Sequence, residues 1–292
     1  MPFPLYISYD DKKIRDGFGA QGLRIVGIFS VAKFFNLKYL HQGISEIDNK
    51  VELLGVGGDE SRYSSVLKEM NRYVSFPSHL DTKVGNTPIE IKIHNLGFRK
   101  LFKYILLSLI RPNRYLLKVC LPFGIVDRFP WIYLFCRSSI PKHIPVLDQE
   151  FPTTVNVAHI RASEHSPDKT RPQLSPAYYE KLIFSGKDMS TSGARWIIHT
   201  DFNDDDFLSI VPSERVDRFK GLISNLNKTD NVDVYHYAKI ENVFRDMVSA
   251  DILIISRSAL SYLAGVLCKG KVIYPSNHGH AQLPRWIRES SE

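Results

Sequence analysis

Asp251-Ile252-Leu253-Ile254-Ile255-Ser256-Arg257-Ser258-Ala259-Leu260-Ser261 is the stretch from which the fold can be read. An uninterrupted apolar run of strand length stops at small hydroxyl residues, and these open an apolar helix expected over Ala259 to Cys268. A strand apolar on both faces belongs to a sheet covered on both faces, and a helix starting directly after it is the β-to-α step of a parallel sheet. The step repeats on either side. Upstream, strands expected at Val155 to Ile160, Ala194 to His199 and Val232 to Tyr237 alternate with helices at Pro176 to Phe184, Ser213 to Leu226 and Ile240 to Ser249. Downstream, Lys271 to Tyr274 is a further strand. Such alternation predicts a doubly wound parallel sheet whose ligands sit at the carboxyl ends of the strands, near the reversal of strand order.

The chain also opens as a βαβ unit. A strand at Leu5 to Tyr9 precedes the glycine-rich Gly17-Phe18-Gly19-Ala20-Gln21-Gly22, expected as a turn. A helix from Leu23 to Phe35 follows, apolar on nearly every face, and Leu37 to Leu40 returns as a second strand. From about Gly57 to Gln149 the pattern is poorer, with a strand at Ile89 to Ile93 and an apolar, basic region between Tyr104 and Phe135 that suggests core helices or a membrane-facing patch. Pro141 to Pro152 has the composition of a crossover. At 292 residues the chain exceeds what one core usually organises, so two domains are expected, 1–150 and 151–292.

Composition bounds the function. A hydrophobic fraction of 43% and a charged fraction of 24% exclude disordered, collagen-like and coiled-coil chains. Lys+Arg of 38 against Asp+Glu of 31 gives +7, which asks for an anionic partner: nucleic acid, a phosphate-bearing metabolite or an acidic membrane surface. The basic residues are spread without a nucleic-acid-binding run. Cys120, Cys136 and Cys268 form no CxxC pair, which indicates neither a disulfide framework nor a zinc site. With no signal-peptide pattern and no long uncharged apolar run, a cytoplasmic protein is expected, with peripheral membrane contact open to it.

Three segments carry chemistry. Gly17, Gly19 and Gly22 match G-x-G-x-x-G, whose missing side chains let a phosphate approach backbone N–H groups at a helix start. Dinucleotide binding does not fit, because Asp10 to Asp16 separates the strand from the first glycine and Lys38 to His41 offers no carboxylate for a ribose. His159-Ile160-Arg161 leaves a buried strand, where Arg161 presents a planar fork suited to phosphate oxygens, although a salt bridge and a core histidine are the plain alternatives. Ser256, Ser258 and Ser261 gather hydroxyls and N–H groups at a helix start, which makes either an anion site or an ordinary N-cap. Asp204-Asp205-Asp206 contains a D-x-D pattern but suits a solvated loop, and Asp201, directly after its strand, is better placed to line a cleft.

In their order these segments resemble the fucosyltransferase-like glycosyltransferases of the GT-B type. The resemblance rests on an early Gly17-Phe18-Gly19-Ala20-Gln21, then His159-Ile160-Arg161, the helix from Pro176 with Tyr178-Tyr179, a strand ending Thr200-Asp201, and Ala250-Asp251 through Ser256, Ser258 and Ser261. It covers about Gly17 to His41 and Val155 to Pro275. It implies two Rossmann-like domains facing a cleft, an acceptor side and a donor side, and inverting sugar transfer to a glycan hydroxyl without a metal or other cofactor. The implied donor is GDP-fucose, and a UDP-sugar such as UDP-xylose is the alternative. In that picture Gly17, Gly19, Gln21, Asp201, Ser256, Ser258 and Ser261 contribute to binding, and His159 touches the nucleotide. Arg161 stabilises the departing diphosphate, and Glu241 or Asp246 accepts from a guanine edge. Glu164, Asp168 or His165 takes the acceptor proton. The second Arg that the family often carries after His-x-Arg is Ala162 here, and Glu164 stands where Asp is usual.

Overall fold

Two parallel sheets organise the chain, one in each of two compact units. The structure is a computed structural model that describes residues 2–11, 16–47, 59–79, 87–139, 154–161, 174–184, 194–201, 213–276 and 278–290. The first unit holds the described residues up to Ser139 and the second those from Thr154. The expected division near residue 150 lies outside the described residues.

In the first unit the strands β1 (Phe3–Tyr9), β2 (Leu37–Tyr39), β3 (Ile89–Asn95) and β4 (Tyr115–Leu121) lie in the order β2-β1-β4-β3, all parallel. The helices are α1 (Phe18–Phe34), α2 (Tyr63–Tyr73), α3 (Phe98–Ile110) and the single turn α4 (Phe123–Val126). Helix α1 is buried on every side, between the sheet and the 3-10 segment Pro130–Ser139, as its all-round apolar pattern requires. Two expectations fail here. The glycine-rich stretch is no turn: Gly17 is the N-cap of α1, and Gly19, Gln21 and Gly22 lie inside the helix. Burial on all faces outweighs the roughly 1 kcal/mol that each helical glycine costs relative to alanine. The apolar region after Tyr104 is also not all helix, because Tyr115–Leu121 is a central strand.

The second unit is a six-stranded parallel sheet of β5 (Val155–Ile160), β6 (Arg195–Thr200), β7 (Val232–His236), β8 (Ile252–Ile254), β9 (Lys271–Pro275) and β10 (Ile287–Glu289), in the order β10-β9-β8-β5-β6-β7. The chain winds outward from β5 to β7, returns across β5 and winds the other way, so strand order reverses between β5 and β8. One face carries α5 (Pro176–Phe184) and α6 (Ser213–Asn227) on a core of Ala158, Ile160, Trp196, Ile198, Tyr179 and Phe219. The helices α7 (Ile240–Ser249) and α8 (Ala259–Leu267) pack on each other, and α7 also lies against β5. The short edge strand β10, with two charged residues of three, lies beyond the strands expected from the sequence.

Asp251 ties the amino ends of three strands. Its carboxylate accepts from Val155 N at 2.8 Å, its N–H donates to Val155 O at 2.9 Å, and its carbonyl accepts from Lys271 N at 2.8 Å. Gly270 must be glycine beside this junction, since an added Cβ would stand 2.2 Å from Ala250 O and 2.4 Å from Asp251 O. Among the described residues no helix is long and apolar enough to cross a membrane. Gly270→Ala is expected to cost about 2 kcal/mol or more. Gly221→Ala, on α6 with nothing within 4 Å of the new Cβ, should gain about 0.5–1 kcal/mol. Urea unfolding midpoints of the two variants check both signs.

Candidate functional site

The carboxyl edge of the second sheet brings together residues from four directions. His159 and Arg161 end β5, His199 and Asp201 end β6, Tyr178 and Tyr179 come from α5, and Ser256 to Ser261 join β8 to α8. Pairing in register sets His159 beside His199, and His199 beside Tyr235 of β7, on one face of the sheet.

The joint across the strand reversal is a hydrogen bond of 2.8 Å between His159 Nδ1 and Ser256 Oγ. The hydrogens of the neighbouring serines assign its direction. Ser261 Oγ has one hydrogen and lies 3.0 Å from Ser256 O and 3.1 Å from Ser258 O, carbonyls that can only accept. In the 3.1 Å contact between Ser256 Oγ and Ser261 Oγ, Ser256 therefore donates. Having spent its hydrogen, Ser256 accepts from His159 Nδ1–H. By this assignment Nε2 keeps the lone pair and is the acceptor of the ring. Burial pushes the His159 pKa down to about 4; the charge of Asp201 opposes this, and Arg161 and His199 reinforce it. The imidazole is neutral at neutral pH.

Ser256, Ser258 and Ser261 are all buried. Ser258 is the N-cap of α8, accepting from Leu260 N at 3.2 Å, so the plain reading holds for its side chain. Ser256 and Ser261 form the relay that orients His159. An anion at this point would meet the N–H groups of the helix start rather than these hydroxyls.

Arg257, which the sequence reading passed over although it stands between two of the chosen serines, adds a second guanidinium. Its Nη2 donates to Ser276 O at 3.2 Å; burial lowers its pKa, while the hydroxyls of Tyr179, Tyr178 and Tyr274 act the other way. Burial raises Tyr178 and Tyr179 out of the range in which a phenol ionises, so both stay neutral. The charge of Asp201 reaches both His159 and Tyr179, which sets it in the group where its position after β6 had placed it.

Asp246 spends both carboxylate oxygens inside the second unit. It is buried, accepting from His199 Nε2 at 3.0 Å on one oxygen and from Arg245 on the other. It holds the ring of His199, a residue also missing from the sequence candidates; the available signal was a polar residue near the end of an otherwise apolar strand. Glu241 is half-buried in the first turn of α7, where its charge suits the helix start. Glu164, His165, Asp168 and the run Asp204 to Asp206 lie outside the described residues. In the first unit, Gln21 is wholly buried: its Nε2 donates to Asp16 O at 2.7 Å and Glu46 O at 2.9 Å, and its Oε1 accepts from Tyr9 at 3.0 Å. These bonds make it a fastener of the surrounding loops. Among the described residues no group of three or more His, Cys, Asp or Glu side chains could hold a metal ion.

No protein-family model matches the chain, and no curated protein matches it. Among solved structures it is similar to the E. coli heptosyltransferase WaaC with ADP-2-deoxy-2-fluoro heptose, at 14% identity and a TM-score of 0.40 over 98% of this chain and 92% of that one. It is also similar to E. coli ADP-heptose lps heptosyltransferase II, at 10% identity and a TM-score of 0.36 over 99% and 90%.

A His that stays neutral when folded binds fewer protons than its unfolded counterpart between about pH 6.5 and pH 4. The stability tied to neutral His159 is therefore full above about pH 6.5 and is lost as the pH falls toward 4. Urea midpoints of the native protein and of His159→Gln, measured from about pH 7.5 down to about 4.5, should show the native protein losing ground relative to the variant.

Proposed function

We propose that the chain is an inverting, metal-independent glycosyltransferase that moves L-fucose from GDP-fucose to a glycan hydroxyl. The observation that carries the reading is the His159–Ser256 bond across the strand reversal. It fixes a neutral acceptor nitrogen in the same group as Arg161, Arg257 and the start of α8, at the position where open parallel sheets take nucleotides. A nucleoside diphosphate needs these three things: cations and N–H groups for the phosphates, and an acceptor for a ribose hydroxyl.

In this reading Arg161 and the α8 N–H groups stabilise the charge that builds on the leaving diphosphate as the bond from the anomeric carbon to the phosphate oxygen breaks. His159 Nε2 accepts from a ribose hydroxyl, and Glu241 accepts from the guanine edge. Glu164 or Asp168 takes the proton of the attacking hydroxyl. The first unit is assigned the acceptor.

Calorimetric titration with GDP, UDP and ADP tests the reading. GDP should bind most tightly, and Arg161→Ala should weaken it by about 10- to 100-fold, the effect of losing a charged hydrogen bond. Binding of no nucleoside diphosphate, together with binding of short nucleic acids, would overturn the transferase reading. Unchanged GDP affinity in Arg161→Ala would remove that residue from its role.

A further inference from the structure

Helix α3 buries Leu101, Ile105 and Ser108 and turns an adjacent face outward. On that face Phe102, Leu106, Leu109 and Ile110 are 50%, 61%, 54% and 76% exposed, at the i, i+4, i+7 and i+8 spacing of one helical stripe. The stripe continues into an aromatic surface of the same unit. Phe35 contacts both Phe98 and Phe102, Phe98 meets Phe129 edge-on at 5.1 Å, and Phe34 meets Trp131 at 4.9 Å and Phe135 at 5.2 Å. Trp131 and Phe135 are themselves exposed. Around this surface stand the exposed cations Arg99, Lys100, Lys103, Arg111 and Arg114, and no carboxylate occurs anywhere between Glu90 and Asp127.

We propose that this face docks on an anionic lipid bilayer. Exposed Leu and Ile side chains reach the acyl boundary, Trp131 and the phenylalanines suit the headgroup level, and the Lys and Arg rim meets lipid phosphates. A nucleic-acid backbone would use the cations and leave the aliphatic side chains in water. A second copy of the chain would set like charges against one another. The helix lies on the membrane without crossing it.

Vesicle sedimentation tests the proposal on the full chain. The protein should pellet with vesicles of phosphatidylcholine containing about one part in three of phosphatidylglycerol, not with phosphatidylcholine alone, and salt near 0.5 M should release it. Trp131 is the exposed member of the three tryptophans, Trp196 and Trp286 being buried. Its emission should shift to the blue on binding, and brominated lipid should quench it. Arg99→Gln with Lys103→Gln should weaken partitioning by about 30-fold, and Leu106→Ser with Ile110→Ser by on the order of 10-fold or more. These positions are exposed, so the variants should keep the native melting temperature. Failure to pellet, equal pelleting with phosphatidylcholine alone, or full binding by the Leu106/Ile110 variant would overturn the proposal. So would tight binding of RNA that the same variant leaves unchanged, or a dimer that this variant dissolves without any vesicle binding.

Discussion

The hydrogen bond between His159 and Ser256 is the constraint on which the second unit's edge depends. Two strands 97 residues apart in sequence are set side by side because the chain winds from β5 to β7 and must then return across β5 to place β8. That return sets the reversal of strand order between β5 and β8, the position at which open parallel sheets take their ligands. The relay from His159 through Ser256 and Ser261 ends on the carbonyls of Ser256 and Ser258, and in the assigned arrangement of protons the ring donates from Nδ1.

The surroundings of this relay are arranged around cost. The depressed pKa of His159 shows that burial outweighs the attraction of Asp201, so the edge carries its positive charge on guanidiniums, which hold their protons, rather than on imidazole. Arg257 shows the same balance with its sign intact: burial works against its charge without removing it. The Tyr178 hydroxyl and His199 Nδ1 are buried without a hydrogen-bond partner among the described residues. Unsatisfied buried polar atoms are costly in a folded protein.

The second unit was legible in sequence because its strands are short apolar-rich runs alternating with helices, with His159, His199 and Ser256 at or near their carboxyl ends. Strand order was not legible. Alternation gives the elements but not which neighbours which, so the meeting of His159 with Ser256 and the pairing of His199 with Asp246 could be seen only in three dimensions. In the first unit the failures have separate causes. Periodicity does not separate a buried strand from a buried helix over seven residues, and Tyr115–Leu121 fell in that gap. The decisive signal was Pro112-Asn113, where Asn113 takes a φ of 57° and turns the chain out of α3. Gly17 to Gly22 misled in the opposite sense, since glycine spacing suggested a turn where the chain starts a buried helix.

The charge of +7 divides along the same lines. The proposed diphosphate site would engage Arg161 and Arg257, and at physiological salt charges more than about 8 Å away would act on it only weakly. The cations of α3 therefore do little for that site unless they lie beside it. They also do little for the fold, because exposed charges contribute a few tenths of a kcal/mol at best and like charges crowded on one helix subtract from that. Arg99 and Lys103 are spaced i and i+4 with no carboxylate partner on the helix, an arrangement that works against the isolated α3. A helix that carries this cost beside an exposed aliphatic stripe has its electrostatics set by what it meets, so the excess charge belongs to the surface of the first unit and not to the chemistry of the second.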